Sequence, residues 1–564
     1  MKTKLALQIG LRSGLIMGVV SIFTALIGMF QVFASRILVG NITLTTALII
    51  LIGFFTGYFA IRKMGQEFSL GHKMITATTA GVVNGALLAL LAIILSLTDL
   101  RNILVNATPE LIEILTLGYG IGLGTVLLIV LYGILALLAV LLQLVPERPR
   151  RALVWGLTMV ALIGLFWEVL TGLAITRVIL EWTGLSLGRS LTWTGAAVIF
   201  IITAVITYFR ANIDRSVGKR YQNLSSGGQR SVYWTGYVIL AIGLLLLPIL
   251  TGQFWAQTLT TIGLFTLAGF GLNIVVGLAG LLDLGYVAFF AIGAYTMGLL
   301  TSPASALGTE LSFWVALPLA MMVAALAGIL LGIPVLPLRG DYLAIVTLGF
   351  GEIIRVLLLS DLLKPLTGGP QGVLEIPPPQ IFGISLKDPR LLYYLILAAC
   401  LLGVFISIRL NYSRIGRAWI AMREDEDVAQ AMGIHLVTAK LMAFSIGAAL
   451  AGIGGAIFAS RQGAIFPADF TLFISINVLC LIIIGGIGSI PGTIVGALFL
   501  VGLPEVLREL DEFRILAYGL GLIIMMIVKP EGLLPSARRK MELHEHDETM
   551  PPGPVPIPHT GGQA

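Results

Sequence analysis

Five consecutive charges, Arg423 to Asp427, stand inside GRAWIAMREDEDVAQAMGI (Gly416 to Ile434), in a chain of which 57% is hydrophobic and 11% charged. Such a run is costly in hydrocarbon, so the segment meets water. Side chains of these types on a short helix do docking chemistry rather than bond chemistry. Glu424, Asp425, Glu426 and Asp427 are placed to fill a first helical turn and complement its positive end, and Gly433 supplies the left-handed position that stops it. Ala421, Val428 and Met432, with Met422 and Ala429 beside them, are expected to form one apolar face opposite an acidic one. A solvated connector is the competing reading, but a connector needs neither an apolar stripe nor a stop glycine.

A second set of polar residues lies within or at the ends of apolar runs, where such groups must pair or line water. Asn273, Asp283, Glu352, Arg355 and Asn477 are the candidates for a solute pathway. Glu352 and Arg355 stand three apart, the spacing at which helical neighbours pair. Asn273 and Asn477 suit hydrogen bonds between helices, and Asp283, at a predicted span boundary, is expected in solvent. Cys400 and Cys480 both fall in apolar runs as buried thiols; His544 and His546 lie in a polar tail, and no histidine pair within a span has ligand spacing. No metal and no cofactor is expected on this chain.

The elements that hold these residues are membrane helices. A mean hydropathy of +0.99 over 564 residues leaves too few polar side chains to cover a soluble core. Runs of about 20 apolar residues follow one another, and a helix satisfies its own backbone in lipid. The expected fold class is therefore all-α, a polytopic integral membrane protein of about 16 membrane helices including half-helices. The net charge of +6 reflects basic loops between spans rather than a face for nucleic acid.

Four segments are expected: residues 1–209, a membrane extension of six spans; 210–230, a basic linker; 231–535, a second membrane domain of ten spans; and 536–564, a polar, proline-rich disordered tail. Lys and Arg gather in alternate loops, such as Arg62 to Lys73, Arg148 to Arg151 and Arg210 to Arg230, which places those loops and both termini in the cytoplasm. The same count puts the loop Arg409 to Lys440 inside and the loop Asp361 to Arg390 outside. Two stretches, Gly271 to Gly293 and Gly485 to Gly496, are broken by glycine and read as counterpart re-entrant or half-helical pieces.

GLNIVVGLAGLLDLGYVAFFAIGAY (Gly271 to Tyr295), LRGDYLAIVTLGFGEIIR (Leu338 to Arg355), TGGPQG (Thr367 to Gly372), the charged loop and IGGIGSIPGTIVGAL (Ile484 to Leu498) together resemble the permeases of bacterial and archaeal ABC importers, in particular the branched-chain amino acid type called LivM. The resemblance covers Val232 to Lys540 and leaves Met1 to Arg230 as an unusual extension. It implies an inner-membrane subunit that works with a second permease, two ABC ATPase subunits and an extracytoplasmic solute-binding protein, within membrane lipid and without nucleic acid. It also implies that the charged loop is a coupling helix resting in a cleft of the ATPase, with Arg417, Glu424, Asp425, Ala429, Met432 and Gly433 as contact or shape-setting positions. ATP and magnesium would then sit on the partner ATPases.

The chain itself has no Walker loop. At the nearest candidate, Gly218-Lys219-Arg220, Ile213 replaces the first glycine and Arg220 the hydroxyl residue that binds magnesium. The loop from Asp361 to Arg390 carries TGGPQG and Pro377-Pro378-Pro379 and is expected to receive the binding protein, unless it is a tolerated insertion. Two other classes stay open: an ion-coupled secondary transporter using Glu352, Asp283 or Asp341, and a scaffold or sensor built on the first six spans. Urea and short amides stand beside branched-chain amino acids as candidate solutes.

Overall fold

The computed structural model describes residues 2–65, 68–167, 170, 190–222, 226–338, 340–507 and 513–535. The polar tail with Arg538, Arg539 and Lys540, and the last part of the fifth of the six spans expected in residues 1–209, read from hydropathy as Leu153 to Ile175, lie outside the described residues. Ten described helices are long and apolar enough to cross a membrane, and four shorter apolar helices, Trp193–Phe209, Val287–Thr301, Ile490–Val506 and Tyr518–Val528, accompany them. The only strands among the described residues form two small hairpins. Of the ten spans expected in residues 231–535, the first two, read from hydropathy as Val232 to Leu250 and Thr258 to Leu278, meet end to end at Gly252, whose φ of 83° interrupts an otherwise continuous helix.

Contacts divide the chain into two units, Met1–Leu244 with Leu507–Phe513, and Leu245–Val506 with Arg514–Ala564. In the first, helices Lys2–Leu26, Leu44–Arg62 and Gly120–Leu144 surround Leu70–Leu97. Buried faces here are lined by Ala, Gly, Ser and Thr, since lipid offers no hydrophobic drive and close backbone approach supplies the packing. Asn84, fully buried, donates its side-chain amide to Thr56 Oγ1 at 2.8 Å.

The second unit is organised on Leu436–Gln462, which packs along both Val287–Thr301 and Phe313–Val335. Its glycines permit this: a Cβ on Gly455 would overlap the Phe290 carbonyl, and one on Gly293 the Gly452 carbonyl. Helix Ser226–Leu272 ends in a wider π-helical turn, Asn273–Leu278, followed by an irregular segment to Tyr286. Helices Leu472–Gly485 and Ile490–Ala497 are separated by a second break, in which Gly486 and Gly488 have φ of 120° and 77°. Breaks of this kind survive in a membrane protein only where protein or water satisfies the freed backbone.

The loop Asp361 to Arg390 is held by backbone pairing. Val373 and Ile465 exchange hydrogen bonds of 3.0 Å in both directions, Ile376 N–H donates to Gly463 O at 2.8 Å, and a small hairpin, Gln380–Ile381 with Ile384–Ser385, carries a fully exposed Phe382 at its turn.

Candidate functional site

The charged loop folds as two helices, Arg414–Glu424 and Glu426–Ala431, rather than one. Ser413 caps the first by accepting from Gly416 N–H at 3.0 Å. Asp425 breaks the run: it is extended (φ −157°, ψ 115°), and its Oδ1 accepts from Asp427 N–H at 2.9 Å and Val428 N–H at 3.0 Å. Of the four acidic residues assigned to a first turn, only Glu426 and Asp427 are in one. Glu424 ends the preceding helix, and Asp425 is the cap. An Asp competes for backbone N–H groups in this way whenever the chain can turn, which is why four consecutive acids do not prolong a helix.

Gly433 does stop the second helix, with φ of 87°. Ile434 N–H donates to Ala429 O at 3.1 Å and Gly433 N–H to Gln430 O at 3.0 Å, the two bonds of a Schellman end. Gly433→Ala is expected to cost about 1 kcal/mol for its left-handed backbone. Gly433→Pro should cost more, because proline fixes φ near −65° and removes the donor to Gln430. Thermal unfolding and limited proteolysis of the loop check this order; equal stability of the two variants would contradict it.

The break at Asp425 divides the expected apolar face. Met422 and Ala429 turn inward and are buried, whereas Val428 and Met432, at i and i+4, are 58% and 80% exposed. Arg417 is exposed, with Nη1 donating to Tyr412 O at 3.2 Å. Glu424, Asp425 and Asp427 are exposed around the pair, so the outer surface is acidic with an apolar centre.

Three contacts anchor the inner surface. Trp419, fully buried, donates Nε1–H to Ala439 O at 2.8 Å. Lys440, 3% exposed, pairs with Glu426 (Nζ to Oε1, 2.9 Å) and donates to Leu336 O at 3.1 Å, beyond the end of helix Phe313–Val335. Arg423 Nη1 donates to Gly277 O at 2.9 Å, inside the first glycine-rich break. That break meets the second, because Asn273 Oδ1 accepts from Gly488 N–H at 2.8 Å. The two interrupted helices are therefore joined to each other and to the charged loop at one place. Charge-assisted bonds to backbone carbonyls are among the stronger and more directional links available in a dry interior.

The remaining sequence candidates scatter. Asp283 is fully buried rather than in solvent: the turn to Tyr286 folds it under the helix Asp341–Leu359, its Oδ1 accepts from Gly285 N–H at 2.9 Å, and its Oδ2 has no hydrogen-bond partner. Glu352 and Arg355 pair with each other at 2.9 Å and are both about one-third exposed. Asn477 is exposed on helix Leu472–Gly485. Sequence reasoning missed Lys440, Arg423 and Glu426 as anchors, although a lysine at the start of an apolar span is a signal in itself.

A family model described as branched-chain amino acid transport system / permease component matches residues 254–529. The chain is 36% identical over 424 residues, covering 71% of it and 97% of the relative, to the high-affinity branched-chain amino acid transport system permease protein LivM of Escherichia coli strain K12. It is 24% identical over 291 residues to LivH of Salmonella typhimurium (48% of this chain, 91% of the relative) and 26% over 301 residues to the probable LivM of Methanocaldococcus jannaschii (47% and 84%). No solved structure matches. A match over 71% of the chain is longer than everything after residue 230, so the likeness to LivM extends back into the segment first read as outside the family.

Proposed function

The chain belongs to the branched-chain amino acid transport permease family, and from that membership we propose that it is the permease subunit of an ATP-driven importer moving branched-chain amino acids, or chemically related small solutes, across the cytoplasmic membrane. The observation that carries the mechanistic part is the two-sided charged loop. Its outer surface presents Val428 and Met432 within a ring of acids, and its inner surface is fastened through Lys440 and Arg423 to three membrane helices and both glycine-rich breaks. A segment built this way passes on a push; a solvated connector does not require it.

In this reading a separate ATPase subunit holds ATP and magnesium and receives the outer surface, as the resemblance implies for Arg417, Glu424, Asp425, Ala429, Met432 and Gly433. Ala429 acts from inside, setting shape rather than contact, because it is buried. Closure of the ATPase dimer moves the loop, and the loop carries the paired breaks between two arrangements of the pathway. Both termini and the charged loop face the cytoplasm. The four other chains are a second permease, two ATPases and a soluble binding protein; purification from native membranes should recover them together. Recovery of the permease alone under conditions that retain uptake would contradict the assembly.

The binding protein is assigned to the loop 361–390, at the opposite end of Leu436–Gln462 from the charged loop. Its backbone pairing to residues 463–465 fixes a platform from which the Phe382 ring projects. Phe382→Asp is expected to raise the binding-protein concentration for half-maximal ATPase stimulation by about tenfold, the effect of losing one aromatic anchor. An unchanged half-maximal concentration would remove this surface from the interface.

A further inference from the structure

At the end of Leu436–Gln462 far from the charged loop, about 32 Å along the helix from Lys440, the second unit contains two adjoining cavities that share Arg461 and Thr261. The first, of about 240 Å³, is lined by Gln257, Thr258, Thr261, Arg461 and Glu505, with Phe254 and Val501. The second, of about 70 Å³, runs inward from it between Leu264, Phe265, Phe290, Ile474 and Val478 and is almost wholly apolar. Arg461 donates to Thr261 Oγ1 at 3.0 Å. Glu505 lines the same chamber, yet the two opposite charges form no ion pair with each other.

A guanidinium and a carboxylate in a membrane protein ordinarily neutralise each other, because isolated charge is costly there. Two that share a chamber without touching leave complementary positions for a molecule carrying both signs. From this geometry we infer that the chamber is a binding site for a zwitterionic α-amino acid with an aliphatic side chain. Arg461, a planar donor suited to carboxylates, takes the α-carboxylate. Glu505 accepts from the α-ammonium, and the hydroxyls of Thr258 and Thr261 and the amide of Gln257 complete the polar end. The side chain enters the apolar slot, whose narrow bore admits aliphatic groups and excludes a second charge. The inference rests on the proposed import of branched-chain amino acids and adds to it that this one chain carries a complete solute site, at the end where the binding protein is placed.

The test uses the full transporter complex in detergent, without nucleotide or soluble binding protein, and counts bound radiolabelled L-leucine. Saturable binding is expected, displaced by unlabelled L-leucine but not by isoamylamine, which lacks the carboxylate, or 4-methylpentanoate, which lacks the ammonium. Arg461→Gln and Glu505→Gln should each weaken binding about tenfold or more. Ile474→Phe, which narrows the slot, should raise affinity for L-alanine relative to L-leucine, a ratio that partial misfolding does not move. No saturable binding, equal displacement by either truncated analogue, or unaltered affinity and ratio in these variants would overturn the site. Leucine uptake by the wild-type complex in proteoliposomes, measured alongside, separates the two claims. Uptake without these binding effects leaves the importer and removes the site, whereas absence of any branched-chain amino acid uptake removes both.

Discussion

Lys440→Met is expected to leave the protein in the membrane but to uncouple ATP hydrolysis from solute uptake. The substitution takes the ammonium away from Glu426, whose side chain is 17% exposed, and from the Leu336 carbonyl. Breaking a buried ion pair by removing one partner costs about 3 to 5 kcal/mol, and residual access of water to Glu426 favours the lower end. Glu426→Gln should cost less, because lysine retains Leu336 O and can still donate to the amide. The double variant Lys440→Met with Glu426→Gln should be more stable than the sum of the two single losses, since Glu426→Gln also removes the charge that Lys440 neutralised. Thermal unfolding of the four proteins measures the interaction, and ATPase rate with uptake in proteoliposomes measures the coupling. Additive stability changes, or normal uptake by Lys440→Met, would show that the pair fastens nothing.

The second large effect is expected on the outer surface. Val428→Glu with Met432→Glu should abolish stable association with the ATPase while leaving the isolated permease as stable as before. Both side chains are exposed, and the caps at the two ends of that helix use only the backbone N–H groups of these residues, so the exchanges should change stability by about 0.5 kcal/mol or less. In a complex the same side chains would be buried, each contributing roughly 1.5 to 3 kcal/mol if fully desolvated, and a carboxylate in their place adds a desolvation cost. A loss of affinity on the order of a hundredfold follows, equivalent to about 2.8 kcal/mol. Co-purified ATPase per permease is the readout, and unchanged recovery would contradict the docking face.

The membrane-helical class and a charged, glycine-stopped helical loop were legible in the sequence because both depend on local properties: hydropathy over about 20 residues, a stop glycine and a cluster of charge. The internal form of the loop was not. Whether four acids extend a helix or one of them caps the next depends on Asp425 finding two N–H groups, a competition that a charge count does not resolve. The apolar stripe was read as one face because a single helix was assumed, and the break sent Met422 and Ala429 inward. Lys440, Arg461 and Glu505 were visible as ionisable residues at or inside span ends, but their partners are distant in sequence. Asp283 was misread for the same reason: its burial comes from the turn packing under Asp341–Leu359, which only the tertiary fold supplies. The glycine-rich stretches were read as counterpart re-entrant or half-helical pieces; the structure has a break in each, and their meeting through Asn273 and Gly488, 215 positions apart, needed the structure.

Coupling turns on what the outer surface of the charged loop touches. A photo-crosslinking side chain placed at Met432 in the full-length protein, irradiated in native membranes and followed by identification of the adduct, asks this directly. The predicted result is one dominant adduct with an ATP-hydrolysing subunit, strengthened or weakened by nucleotide. Adducts with lipid alone, or with no protein under conditions in which uptake is active, would contradict it.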